Sequence, residues 1–153
     1  MRLPLDLLYR LQRRLWRAFR PRTRGVKVML FSAADELLLI RNSYGRTDLF
    51  VLPGGGIRPF ERPEAAAGRE VREELGCAIA ELAFVATYAS TQEGKRDTIH
   101  LYRARIAGEV RADRFEVAEA RFFALDALPA TVSPATLRRI AEWRDERAPD
   151  ASW

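Results

Sequence analysis

Hydrophobic and polar positions along the chain change rhythm twice. Near the start, Leu8, Leu11, Leu15 and Phe19 recur at helical spacing, with Leu7 and Trp16 widening the stripe and Arg10, Arg13, Arg14 and Arg17 on the other side. Pro4 suits a first helical turn and Pro21 stops the pattern, which predicts a helix over about residues 4–19. Residues 20–25 read as a linker. From residue 26 the pattern turns to short apolar runs of strand length at 26–31 and 36–40, joined by a polar turn, and again at 48–52, where Pro53-Gly54-Gly55-Gly56 ends the run. A helix is predicted over 63–75, with Gly76 as the residue that ends it. Strands follow at 82–88, 98–106 and 120–125, then a helix at 134–146 and a tail at 148–153. The expected organisation is an arm and linker at 1–24, one mixed α/β domain at 25–147, and that tail.

Composition removes several classes. No apolar run approaches the roughly 20 residues needed to cross a bilayer. The 153-residue chain has one cysteine, Cys77, so no intramolecular disulfide forms, and one histidine, His100, so no multi-histidine metal site exists. A divalent cation would be held by oxygen ligands, which suits Mg²⁺ or Mn²⁺ better than Zn²⁺. Charge is uneven: eight arginines against Asp6 give residues 1–24 a balance of +7, and the whole chain is +5, leaving −2 for the remainder. The basic character belongs to the arm and is not a nucleic-acid footprint over the domain. Arginines also interrupt any signal-peptide core, so the segment reads as mature sequence and the protein as cytoplasmic.

Chemistry concentrates in the helix at 63–75. Glu70, Glu73 and Glu74, spaced i, i+3, i+4, share one face. Like charges at that spacing cost an isolated helix about 0.2–0.5 kcal/mol per pair. Ala67, Val71 and Leu75 form an apolar stripe beside them, so the carboxylates lie at the margin of buried surface, and Ala66 leaves room on the acidic face. The glycine run before the helix lets backbone approach a ligand closely. By itself it would be an ordinary turn.

The spacing decides otherwise. Gly55 is followed after five residues by Glu61, and after seven more by Arg69-Glu70-Val71-Arg72-Glu73-Glu74-Leu75-Gly76-Cys77. Residues 55–77 thus resemble the Nudix box, G-x5-E-x7-R-E-U-x-E-E-x-G-U with U apolar, at every specified position. Seven fixed residues and two apolar ones coincide by chance on the order of once in 10⁹ start sites. Cys77 is the loosest fit and reads as a small buried hydrophobe. Leu52-Pro53 and the stretch from Glu119 to Pro129 resemble flanking family segments.

The resemblance implies the Nudix fold, a mixed sheet sandwiched between helices, extended here by the N-terminal amphipathic helix. It implies a hydrolase that cleaves a diphosphate linkage, in a nucleoside diphosphate derivative or related substrate, by attack of metal-activated water on phosphorus. Glu70, Glu73 and Glu74 would bind Mg²⁺ (or Mn²⁺) with a backbone carbonyl of Gly54 or Gly55, and Arg69 and Glu61 would form a structural ion pair. An acid outside the box would add a ligand or base, Glu119 in preference to Glu116. Family members often carry an acid where this chain has Arg58 and a glycine where it has Phe60. Arg58 is therefore expected either to give up an auxiliary metal contact or to grip a phosphate, and Phe60 to shape the pocket. Arg41, Tyr44 and Arg46 could reach a base or phosphate, with a solvated loop as the alternative. His100 is expected to be a packing residue.

A nucleotide-binding regulator would be expected to lose box glutamates, and none is lost. An RNA-directed enzyme using the basic arm is the other alternative, although helical spacing of the arm's apolar residues favours packing. For that stripe, contact with the chain's own domain or a dimer mate ranks first, an anionic membrane surface second and nucleic acid last.

Overall fold

The computed structural model describes residues 22–91, 94 and 96–153, together with Leu7, Leu8 and Leu11. The expected arm helix lies outside the described residues apart from those three leucines, which are helical and exposed. Five strands and two helices follow: β1 (Arg22–Phe31), β2 (Leu37–Asn42), α1 (Pro63–Leu75), β3 (Ala78–Ser90), β4 (Arg96–Ala107), β5 (Val117–Phe123) and α2 (Pro134–Trp143). The strands form one mixed sheet in the order β3-β4-β1-β2-β5. β1 and β4 run parallel at its centre, and the other neighbours are antiparallel.

Alternation along the central strands explains the two-sided core. Val26, Val28, Leu30, Leu38 and Ile40 face α1, where Ala66, Ala67, Val71 and Leu75 cover them. Met29, Leu37, Leu39 and Leu101 face the other way, onto Ile140 of α2 and Phe50, Leu52 and Val132 of the loops. A strand buried on both faces reads as a continuous apolar run. Each fully buried aliphatic side chain contributes about 1.5–3 kcal/mol. The expected sandwich is what forms.

Most strand boundaries differ from the sequence reading by a few residues, β3 starting four residues early and β5 three, and four differences have a local cause. β1 begins at Arg22, inside the expected linker, because Arg22–Gly25 continue the parallel ladder opposite residues 96–99. This pairing uses backbone and a Thr23–Asp97 side-chain hydrogen bond at 2.9 Å, and it leaves no apolar signature. Residues 48–52 make only single bridges, Ile40 to Val51 and Phe50 to Val132, since the buried Phe50 and Leu52 side chains anchor the segment. α2 stops at Trp143, where Asp145 turns to φ 55°. The expected tail is docked: Ala89 N–H donates to Ala151 O at 2.8 Å and Trp153 N–H to Ala89 O at 2.8 Å.

Candidate active site

The glycine run continues the sheet edge before it turns to α1. Val28 N–H donates to Pro53 O at 3.0 Å and Val26 N–H to Gly55 O at 2.9 Å. Gly54 between them adopts φ 143°, and a Cβ there would lie 2.1 Å from Val26 O. A Cβ on Gly55 would lie 2.5 Å from Glu70 Oε2. Any side chain at either position would collide with β1 or with the Glu70 carboxylate. Of the carbonyls expected as ligands, Gly55 O is engaged by β1, which leaves Gly54 O outside this pairing.

The three box glutamates have different surroundings. Glu74 is buried, and its Oε2 accepts the Gly54 N–H at 2.9 Å. Burial raises its carboxyl to about 7, with Glu70 and Glu116 adding to the rise while Lys27 and the Gly54 N–H oppose it. Glu70 lies against Gly55 and pairs with Arg69 at 2.6 Å. Glu73 is half exposed and meets Arg69 and Arg58, each at 3.1 Å. Ala66, expected to leave room beside these acids, is instead fully buried against the sheet.

Arg69 ties the segment together. Its guanidinium reaches both oxygens of Glu61, at 2.7 and 2.9 Å, and the Gly56 carbonyl at 2.8 Å. Arg69 and the Arg58 N–H together hold the Glu61 carboxyl down to about 2. The expected Arg69–Glu61 pair is thus present.

The two candidate acids outside the box have different surroundings. Glu119 faces Arg41 across the β2–β5 ladder and is ion-paired with both Arg41 and Arg121. Glu116 lies on a loop that meets the end of α1 and feels the charges of the box glutamates. Arg111 N–H donates to Leu75 O at 2.6 Å and Asp113 N–H to Glu74 O at 2.8 Å, so the loop before β5 is fastened to the C-terminal carbonyls of α1. Burial raises the Glu116 carboxyl, and Asp113, Glu70 and Glu73 raise it further. No sequence spacing marks this residue, because its approach depends on how the loop crosses the helix end.

A groove of about 1050 Å³ opens beside Gly55 and Gly56. Arg22, Arg24, Lys27, Arg46, Arg58 and Arg138 line it, and Asp97 is the one acid among the described lining residues. Arg46 pairs with Asp48 at 3.1 Å. Arg41 points elsewhere, with its guanidinium 5.3 Å from the Phe50 ring centre. Phe60 is fully exposed and does not line the groove. His100 meets Thr87 at 3.1 Å, and its pKa is lowered by burial first and by Arg24 second, as befits a packing residue. The sequence reading missed Arg22, Arg24, Lys27 and Arg138, which come from segments with no motif.

Cationic walls beside a carboxylate-bearing helix describe a hydrolase that works on a phosphorus anhydride. Residues 21–144 match the family model described as NUDIX domain, and the chain belongs to the Nudix family of hydrolases. It is 30% identical over 124 residues, 80% of each chain, to a Bacillus subtilis (strain 168) protein named as a candidate 8-oxo-dGTP diphosphatase. It is 26% identical over 119 residues to the NAD-capped RNA hydrolase NudC of Pseudomonas aeruginosa (strain LESB58), covering 78% of this chain but 42% of that one. Among solved structures, the MutT NUDIX hydrolase from Burkholderia pseudomallei superposes with a TM-score of 0.70 at 26% identity, over 78% of this chain and 95% of that one. Among the described residues no helix is long and apolar enough to cross a membrane.

Proposed function

We propose that this chain hydrolyses the diphosphate linkage of a nucleoside diphosphate derivative, using Mg²⁺ (or Mn²⁺) held by Glu70, Glu73, Glu74 and the Gly54 carbonyl, with Glu116 as the acid from outside the box. The observation that carries this reading is the packing of the glycine loop against the glutamates of α1, where Glu74 accepts the Gly54 N–H at 2.9 Å and Glu70 fills the space at Gly55. Glu70 and Glu116 both raise the proton affinity of the buried Glu74. A site in which acids are pressed together at such cost suits a hard cation with oxygen ligands. The donor set fits in kind, and Gly55 provides the space that Glu70 occupies. Among the described residues no group of three or more acids stands close enough to hold a metal ion, and Arg69 and Arg58 engage Glu70 and Glu73.

A bound divalent cation supplies charge neutralisation for the diphosphate and acidifies nearby water. The remaining work falls to the chain. Arg58 and Arg46, with the other groove cations, hold and orient the phosphates. Arg69 keeps the glycine loop against α1. Glu116, whose proton affinity is raised, takes up a proton at its carboxylate. Arg41 and Glu119, expected in substrate binding and catalysis, pair with each other on the β2–β5 ladder, and this proposal gives them no step. Reading the protein as cytoplasmic agrees with its free, buried Cys77. The exposure of Leu7, Leu8 and Leu11 supports docking of the arm on a protein surface, its own or a second copy's.

The test is a substrate screen with Mg²⁺, scoring phosphate and pyrophosphate release separately. Nucleoside diphosphate derivatives should be cleaved and a chelator should abolish cleavage. Turnover that persists in chelator would overturn the reading.

A further inference from the structure

The segment after α2 is held by a buried ionic latch. Arg139, 1% exposed, pairs with Glu142 at 2.8 Å and donates to Ser152 O at 2.7 Å. Its guanidinium lies 4.0 Å from the Tyr88 ring centre and 5.5 Å from that of Trp153. Tyr88 donates to the second Glu142 oxygen at 2.9 Å, and Asp150 N–H donates to the first at 3.2 Å. Such a pair incurs desolvation that apolar residues of the same volume would avoid, so stability is a weak explanation for it. What the latch does fix is the position of Trp153.

That ring is only partly covered. Its edge contact with Tyr88, centres 5.5 Å apart at 67°, accounts for one side, and Trp153 also lines the groove that holds Gly55 and Arg58. The start of β1 and the buried Ile99 of β4 line the same groove. Its lining therefore combines cations and glycines with the Trp153 ring and the apolar Val26, Val51, Leu52 and Ile99. The cations suit phosphates. The aromatic ring suits a flat, uncharged partner.

We propose that Trp153 forms the wall of a subsite for the aromatic base of the substrate, with Arg139 as its positioning residue. This selects nucleotides over diphosphates that lack an aromatic ring, and it rests on reading the groove as the place where the diphosphate is bound. A base packed on an aromatic side chain strengthens binding by about tenfold or more.

Calorimetry in Ca²⁺ with ADP, GDP and inorganic tripolyphosphate tests this on the full chain. Trp153→Leu, which keeps bulk without the aromatic face, should weaken ADP and GDP binding about tenfold and leave tripolyphosphate binding unchanged. Trp153→Phe should restore most of the loss. Arg139→Lys should weaken nucleotide binding selectively as well. Nucleotides, and not tripolyphosphate, should quench tryptophan fluorescence in the native chain, and Trp153→Phe should lose that quench. The fluorescence comparison stands even if the Leu variant does not fold. Equal weakening of all three ligands, no effect of Leu, or no nucleotide binding by the native chain overturns the proposal. Nucleotide binding that depends on Trp153 in a protein without Mg²⁺-dependent turnover would overturn the hydrolase reading and leave this one standing.

Discussion

Arg69 grips both oxygens of Glu61 across the loop that leads into α1, and both side chains are mostly buried, with 14% and 15% exposure. The pair fastens the glycine loop to the helix that carries the carboxylates. Arg58, eleven positions earlier, makes a more exposed contact with Glu73. The two arginines should therefore respond differently to removal. Arg69→Ala is expected to lower the melting temperature by about 5 °C or more and activity with it. Arg58→Ala should raise KM while leaving the melting temperature within about 2 °C, as exposed ion pairs contribute little. Differential scanning calorimetry beside steady-state kinetics checks both. A stable Arg69→Ala protein that has lost only substrate affinity would reverse these roles.

Glu116 and Glu119 offer a direct contrast. Glu116 interacts with the carboxylate cluster, whereas Glu119 is engaged by Arg41 and Arg121. Glu116→Gln should reduce kcat by about a hundredfold, within the range for general acid–base groups. Glu119→Gln should cost less than about tenfold in kcat and act mainly on stability. Glu73→Gln and Glu74→Gln should each reduce turnover by roughly a hundredfold or more and shift the Mg²⁺ dependence. Equal rates for the Glu116 and Glu119 variants would remove the assignment.

Glu74 predicts a pH effect in metal-free protein. Its carboxyl stands at about 7 when folded, against 4.5 for an ordinary glutamate, chiefly because it is buried. A raised folded value means the folded state holds the proton more tightly. The stabilisation is full below the unfolded value and is lost as pH rises through about 7. In chelator, stability should fall between pH 5 and pH 8 by on the order of 2–3 kcal/mol. Glu74→Gln should flatten that profile, and Mg²⁺ should stabilise the native protein more at pH 8 than at pH 6. Denaturant melts at several pH values read this out, and a profile that rises with pH would contradict it.

The Arg139–Glu142 pair makes a stability prediction separate from ligand binding. Arg139→Met leaves Glu142 buried without its cation and should destabilise the fold by about 3–5 kcal/mol. Removing both charges, as Arg139→Met with Glu142→Leu, should recover a large part of that loss. A double variant as unstable as the single one would show that the lost contacts to Ser152 and the rings matter more than the stranded charge.

Phe60 holds φ at 63° while its side chain is fully exposed. An L-residue in that region costs about 1–2 kcal/mol, and no packing offsets it here. Phe60→Gly should therefore stabilise the protein by roughly 0.5–1 kcal/mol after the greater chain entropy of glycine is counted. A lower melting temperature for the variant would disprove the strain.

Local rules determined a good deal of this protein. α1 spans the residues that its apolar stripe and Gly76 marked, because helix spacing and a left-handed terminator act within a few residues. The box placed Glu61, Arg69 and the three glutamates on one loop and one helix for the same reason. The doubly buried strands were legible as continuous apolar runs. Other features needed the chain to close on itself. The loop that carries Glu116 meets the end of α1 through hydrogen bonds to its last carbonyls, which no local pattern announces. The polar start of β1 pairs with β4 through backbone and polar side chains, where no apolar periodicity could announce it. Trp153 reaches the groove because Arg139, from the previous helix, finds Glu142, Tyr88 and Ser152 together in the interior. Sequence fixes what a residue can do within a turn or two, while the partners that decide its charge state and reach arrive from strands tens of residues away.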